Sequence, residues 1–224
     1  MSFARVMLSI PLRCSITVDE THKDGGNVRR RRGRWLCGMP NDCLSRAEKN
    51  MLRTSTMIAV SYEKGVIHCE TTPTPLSQNS DDCLIFLARL LPTINKYVPG
   101  LPWALEAEKC VLLLDNTPIH TAEADAWIVA AGVYPLRLPP YSPDFQPIEE
   151  VFSELSSLLK TMQHSFPEKP DGLRHAFAII SLSAANIGKH FDHCLLEAVR
   201  NVPELAGPEG PWRDAFEPLL MEGE

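Results

Sequence analysis

The sequence predicts an α/β domain built on a mixed sheet, and three observations carry that prediction. CVLLLD at 110–115 sets five apolar residues in a row, the signature of a strand buried on both faces. TSTMIAVSY (54–62) and VIHCE (66–70) flank the turn Glu63-Lys64-Gly65, as the two arms of a hairpin do. From Pro147 onward, Ile148, Val151, Phe152, Leu155, Leu158 and Leu159 recur at helical spacing.

The elements follow in order. CSITV (14–18) is a short β-branched run closed by Asp19 and Glu20, a buried strand with carboxylates at its end. After the hairpin, TTPTPLSQNS is punctuation, and Asn79 or Ser80 is placed to cap a helix over 81–97. The strand at 110–115 leads to a helix over 121–131 and a second short strand, VYPLRL (133–138). LPPYSPDFQP holds four prolines in ten residues, so it is a stiff loop that joins neither ladder nor helix interior. Asp144 is a capping candidate for the helix that Pro147 opens, and a further helix is expected over 171–200. The order β, β-hairpin, α, β, α, β, α is that of an α/β domain. We divide the chain into a tail (1–12), a main α/β domain (13–165) and a C-terminal helical extension (166–224).

Composition narrows the function. The chain has 224 residues, 44% hydrophobic and 22% charged, which excludes disordered and collagen-like classes. No stretch approaches the ~18–20 unbroken apolar residues of a spanning helix, so no membrane partner is expected. The apolar N-terminal run is broken by Pro11 and closed by Arg13, unlike a secretory leader. Cys14, Cys37, Cys43, Cys69, Cys83, Cys110 and Cys194 include no C-x-x-C pair and are expected to be reduced thiols packed as small hydrophobes. The net charge of -6 conceals an asymmetry: residues 1–60 carry +6 and residues 61–224 carry -12. A basic front end points to a polyanion. Within it, Arg29, Arg30, Arg31, Arg32 and Arg34 form a run with three readings: DNA-backbone contact, a nuclear localisation signal, or a solvated loop.

Three acidic residues stand out by position. Asp19 and Asp115 each close a strand, and Glu149 opens an amphipathic helix after the proline-stiffened loop. In open α/β sheets ligands gather beyond the carboxyl ends of strands, and clustered carboxylates repel unless they share protons or a cation. An all-oxygen set suits Mg²⁺ or Mn²⁺, and two such ions can clamp a phosphodiester displacement. Singly, each residue has an ordinary explanation as a turn Asp or a helix-dipole Glu.

LLLDNTPIH and LPPYSPDFQPIEEVF closely resemble the signature of the mariner-like transposases, the D…D…E transposases and integrases of RNase H-like fold. VDETHKDGGNVRRRRGR resembles their first catalytic strand and the basic loop after it. The resemblance covers roughly 14–160. It implies an RNase H-like mixed five-stranded sheet flanked by helices, with Asp19, Asp115 and Glu149 as the metal-binding catalytic triad. It also implies two Mg²⁺ or Mn²⁺ ions, no organic cofactor, transposon-end and target DNA as partners, a possible homodimer, and a nuclear location. Glu149 rather than Glu150 is the matched glutamate. It lies beside Phe152 at the edge of the apolar stripe, whereas Glu150 lines up with Glu154 on what should be a solvated face.

Asn116 and His120 also match. They either orient ligands from behind, or bond local backbone (Asn116) and cap the next helix (His120). Glu20 is either a similar support or a solvent-facing strand residue. Gln146 stands where the family has Asn, and Phe152 where it has Trp. Family members carry helix-turn-helix modules ahead of the catalytic domain, and the short segment before the first strand here does not provide for that kind of end recognition. Three activities therefore stand open: a transposase catalytic domain, a remnant that binds DNA or protein without catalysis, and a stand-alone RNase H-like nuclease.

Overall fold

A computed structural model describes residues 10–23, 54–73, 79–97, 110–139, 143–165 and 171–200. The arginine run, Cys37 and Cys43 lie outside them. Five strands form one sheet: β1 (Ser15–Lys23), β2 (Thr54–Ser61), β3 (Gly65–Pro73), β4 (Cys110–Leu114) and β5 (Val133–Arg137), in the order β3-β2-β1-β4-β5. β1 pairs antiparallel with β2 and parallel with β4, while β4 pairs parallel with β5, so the sheet is mixed as expected. β5 is an edge strand, which is where its Pro135 is tolerated.

Strand alternation sorts the side chains into two layers. Ile16, Val18, Met57, Ala59, Leu112 and Leu114 face one way, against Phe86, Leu87, Leu90 and Ile94 of α1 (Ser80–Tyr97) and Ala124 and Ile128 of α2 (Ala122–Ala130). Ile58 and Val60 face the other way, against α3 (Pro147–Ser165), α4 (Asp171–Ile180) and α5 (Ala184–Arg200). From α3 come Ile148, Val151, Phe152, Leu155 and Leu159, so the periodicity read from the sequence is the buried stripe. Ala178, Ile187 and Phe191 of α4 and α5 join the same core. All five residues of β4 are buried, as its apolar run requires.

Three sequence expectations are corrected, and one of the two capping candidates for α1 is selected. The first strand extends to Lys23, and Asp19 sits in its middle rather than at its end. The polar residues Thr21, His22 and Lys23 are held there by antiparallel pairing with Thr56, Ser55 and Thr54 of β2. The single helix expected over 171–200 is two helices, because the Ser183 hydroxyl accepts the Asn186 N–H (3.1 Å) and starts a new one. Asp144 lies in a short 3-10 turn (Pro143–Phe145), and Gln146 is the residue directly before α3. The capping residue of α1 is Asn79, whose side chain accepts the Asp82 N–H while the Asp82 carboxylate accepts the Asn79 N–H, each at 3.0 Å.

Candidate functional site

The sheet register brings the first two carboxylates together. β1 and β4 pair Ser15 with Val111 and Thr17 with Leu113, so two residues further on Asp19 stands level with Asp115. β4 ends at Leu114 while β1 continues. Asp115 is therefore released from the ladder beside a strand that still holds Asp19. Val18 faces α1, so alternation turns Asp19 toward the opposite layer, where α3 begins. Gln146 confirms the direction, because its Nε2 donates to Asp19 Oδ2 at 3.1 Å. Glu149 is exposed in the first turn of α3, and its charge, with that of Asp115, acts on Asp19.

The two aspartates are held in opposite states. Burial pushes the Asp19 carboxyl up to about 8, with the charges of Asp115 and Glu149 adding to the effect against the Glu20 N–H, which donates to its Oδ1 at 2.7 Å. Burial also acts upward on Asp115. It is outweighed by His120 and by the side chain and backbone of Thr117, which bring that carboxyl down to about 2. The Thr117 hydroxyl and N–H both donate to Asp115 Oδ1, and His120 Nε2 lies 3.1 Å from the same oxygen. A neutral carboxyl thus stands beside an ionised one, chiefly because Asp19 is buried and secondarily because its neighbours are negative.

The donors around this point are carboxylate oxygens, the set that a hard divalent cation takes. Among the described residues, no three His, Cys, Asp or Glu side chains are already closed around a common point.

Glu150 sits elsewhere. Its carboxylate meets His190 Nδ1 at 2.8 Å and also His193, while Glu154 meets His190 Nε2 at 3.0 Å and accepts from Asn186 at 2.9 Å. The expected solvated face of α3 is thus its polar seam with α5. Of the pair, it is Glu149 whose charge acts on Asp19. Glu20 is half-buried on the α1 side, 3.3 Å from His22 Nε2, rather than facing solvent. His120 is buried and does not cap α2, since the Thr121 hydroxyl accepts the Ala124 N–H. Asn116 donates across the sheet end to the Leu138 carbonyl (2.5 Å) rather than to local backbone.

Two contributors escaped the sequence reading. Arg137 donates to the carbonyls of Asp115 (3.0 Å) and His120 (3.1 Å) and to the Asp125 carboxylate (2.5 Å), gripping both ends of the loop that carries Asp115. A charge inside an otherwise apolar strand was its only signal. Thr117 was marked only by the D-x-T spacing of an Asx-type turn.

A five-stranded mixed sheet in the order 3-2-1-4-5, with helices on both faces and acidic residues gathered on one side, defines an RNase H-like domain. The sequence matches the model of the DDE superfamily endonucleases over residues 15–171, more than half of the chain, and the chain belongs to that family. No curated protein matches it. The fold is similar to that of the Mos1 mariner transposase in its paired-end complex with Mn (18% identity, TM-score 0.56, 88% of this chain and 60% of that one). It is also similar to the Mos1 strand transfer complex (18%, 0.56, 88% and 59%) and to the Mos1 catalytic domain with raltegravir and Mg (17%, 0.52, 88% and 91%). The chain thus spans about 60% of the length of the transposase in the paired-end complex.

Proposed function

We propose that this chain is the catalytic part of a DDE transposase, cutting DNA phosphodiesters and joining the freed 3′-hydroxyl to target DNA. One observation carries the reading: the β1–β4 register sets Asp19 level with Asp115, Gln146 at the start of α3 bonds Asp19, and the charges of Asp115 and Glu149, the latter 130 residues on in sequence, both act on Asp19. Family membership and the Mos1 complexes with Mn, Mg and transposon ends support it.

In this reading the three carboxylates would hold two Mg²⁺ or Mn²⁺ ions, whose charge would stabilise a phosphodiester displacement. Asp115 enters already ionised, oriented by Thr117 and His120. Asp19 keeps a proton near neutrality and is fixed by Gln146 and the Glu20 N–H until it is needed as a charged ligand. Glu149, exposed at the start of α3, faces the DNA side and completes the set. Arg29, Arg30, Arg31, Arg32 and Arg34 contact phosphates and offset the acidity of the rest of the chain. Nuclear residence and a homodimer belong to the same reading.

The test is nicking of supercoiled plasmid by the purified chain with Mn²⁺ or Mg²⁺. The expected result is cation-dependent nicking that Asp115→Asn abolishes. Nicking that survives this substitution removes the triad. DNA binding without nicking in any divalent cation identifies a non-catalytic remnant, and hydrolysis of RNA–DNA hybrids without strand joining identifies a stand-alone nuclease.

A further inference from the structure

Behind Asp115 lies a chain of buried groups that the triad does not include. Cys83, in the first turn of α1, is 1% exposed, and its Sγ lies 3.6 Å from Nδ1 of His120. The His120 side chain is itself 1% exposed, and its Nε2 lies 3.1 Å from Asp115 Oδ1. That last contact is close without being a hydrogen bond, so its sign depends on which ring nitrogen carries the proton. A proton on Nε2 attracts the carboxylate, whereas a bare lone pair there repels it. A neutral imidazole has one N–H and one acceptor nitrogen, and the partner of one nitrogen decides the state of the other.

We propose that Cys83 is a positioning residue for this site: its S–H donates to Nδ1 of His120, fixes the Nε2–H tautomer, and so turns a donor toward Asp115. The proposal rests on the reading of Asp115 as a site residue. The thiol is suited to the role, since burial pushes it up to about 11 and keeps its proton in place at neutral pH. The arrangement ties the start of α1, which packs on one face of the sheet, to a carboxylate at the sheet's end. The sequence presents Cys83 only as one more dispersed cysteine.

The test is ¹⁵N NMR of the histidine rings in the full chain at neutral pH, with His120 assigned from a His120→Gln variant, alongside Mn²⁺ titration. The native chain is expected to show His120 as a single Nε2–H tautomer. Cys83→Ala is expected to give mixed tautomers and to weaken Mn²⁺ binding about tenfold, the usual scale for losing a support behind a ligand. Cys83→Ser, which keeps a donor, restores both. An Nδ1–H tautomer or a doubly protonated ring in the native chain overturns the proposal, as does an unchanged tautomer in Cys83→Ala. If Cys83→Ala does not fold, the native tautomer alone decides. Absence of Mn²⁺ binding by the native chain defeats the metal reading, while the tautomer still decides the role of Cys83.

Discussion

The opposite states of Asp19 and Asp115 make the metal-free chain sensitive to pH in a defined direction. The unfolded chain releases the Asp19 proton near 3.8, whereas the native chain holds it to about 8. The stability this group contributes is therefore complete below about 4 and is lost as pH rises through 8, by at most about 1.4 kcal/mol per pH unit. Asp115, held down to about 2, works with the other sign: its contribution is present above 3.8 and is lost as pH falls toward 2. Urea unfolding in EDTA at pH 5 and pH 8 should show the native chain weaker at pH 8, and Asp19→Asn should flatten that difference. An unchanged slope in Asp19→Asn would mean that the crowding of charge at this point is misassigned. At this scale the sequence offered candidates but little of their surroundings. Asp19, Asp115 and Glu149 stood out because strand ends and a helix start marked them. Thr117 carried only a local turn signal, whereas Arg137 and Cys83 became visible only when 22 or more residues of intervening chain had folded to bring Arg137 to the Asp115 carbonyl and Cys83 to His120.

The elements show which local signals survive tertiary packing. β4 and α3 were legible because an all-apolar run and a 3.6-residue period have few other uses. β1 ran past its apolar core because β2 supplies a full ladder to polar residues, and nothing in THK itself announces that. α4 and α5 read as one helix because the apolar period continues across the cap at Ser183, and the α3–α5 seam was missed because Glu150 and Glu154 look solvent-facing until His190 and His193 arrive from forty residues away. Two substitutions test the packing. Leu155→Ala, at a fully buried α3 position, should destabilise by about 2–5 kcal/mol in chemical denaturation. Gly65 opens β3 at φ +69, and a Cβ there would stand 2.9 Å from the Ala184 Cα. Gly65→Ala should therefore cost about 1–3 kcal/mol, with the loss visible as a lower denaturation midpoint, whereas a neutral effect would show that the turn and the start of α5 can move apart.

Over the whole molecule, charge is separated along the sequence, with a basic front end ahead of an acidic body. Residues 1–60 carry +6 against -12 for the remainder. If the arginines contact phosphates, replacing Arg29–Arg32 by alanine should flatten the slope of log K against log salt by up to about 3–4, near 0.9 per lost contact. An unchanged slope assigns the run to localisation or to solvent. The largest structural claim is that one sheet register and one helix start gather residues 19, 115 and 149 onto shared cations. Anomalous scattering from crystals soaked in Mn²⁺ tests it directly. The expected result is density for two ions held by Asp19, Asp115 and Glu149, lost in Asp115→Asn. Manganese bound elsewhere, or seated without one of those three carboxylates, would contradict it.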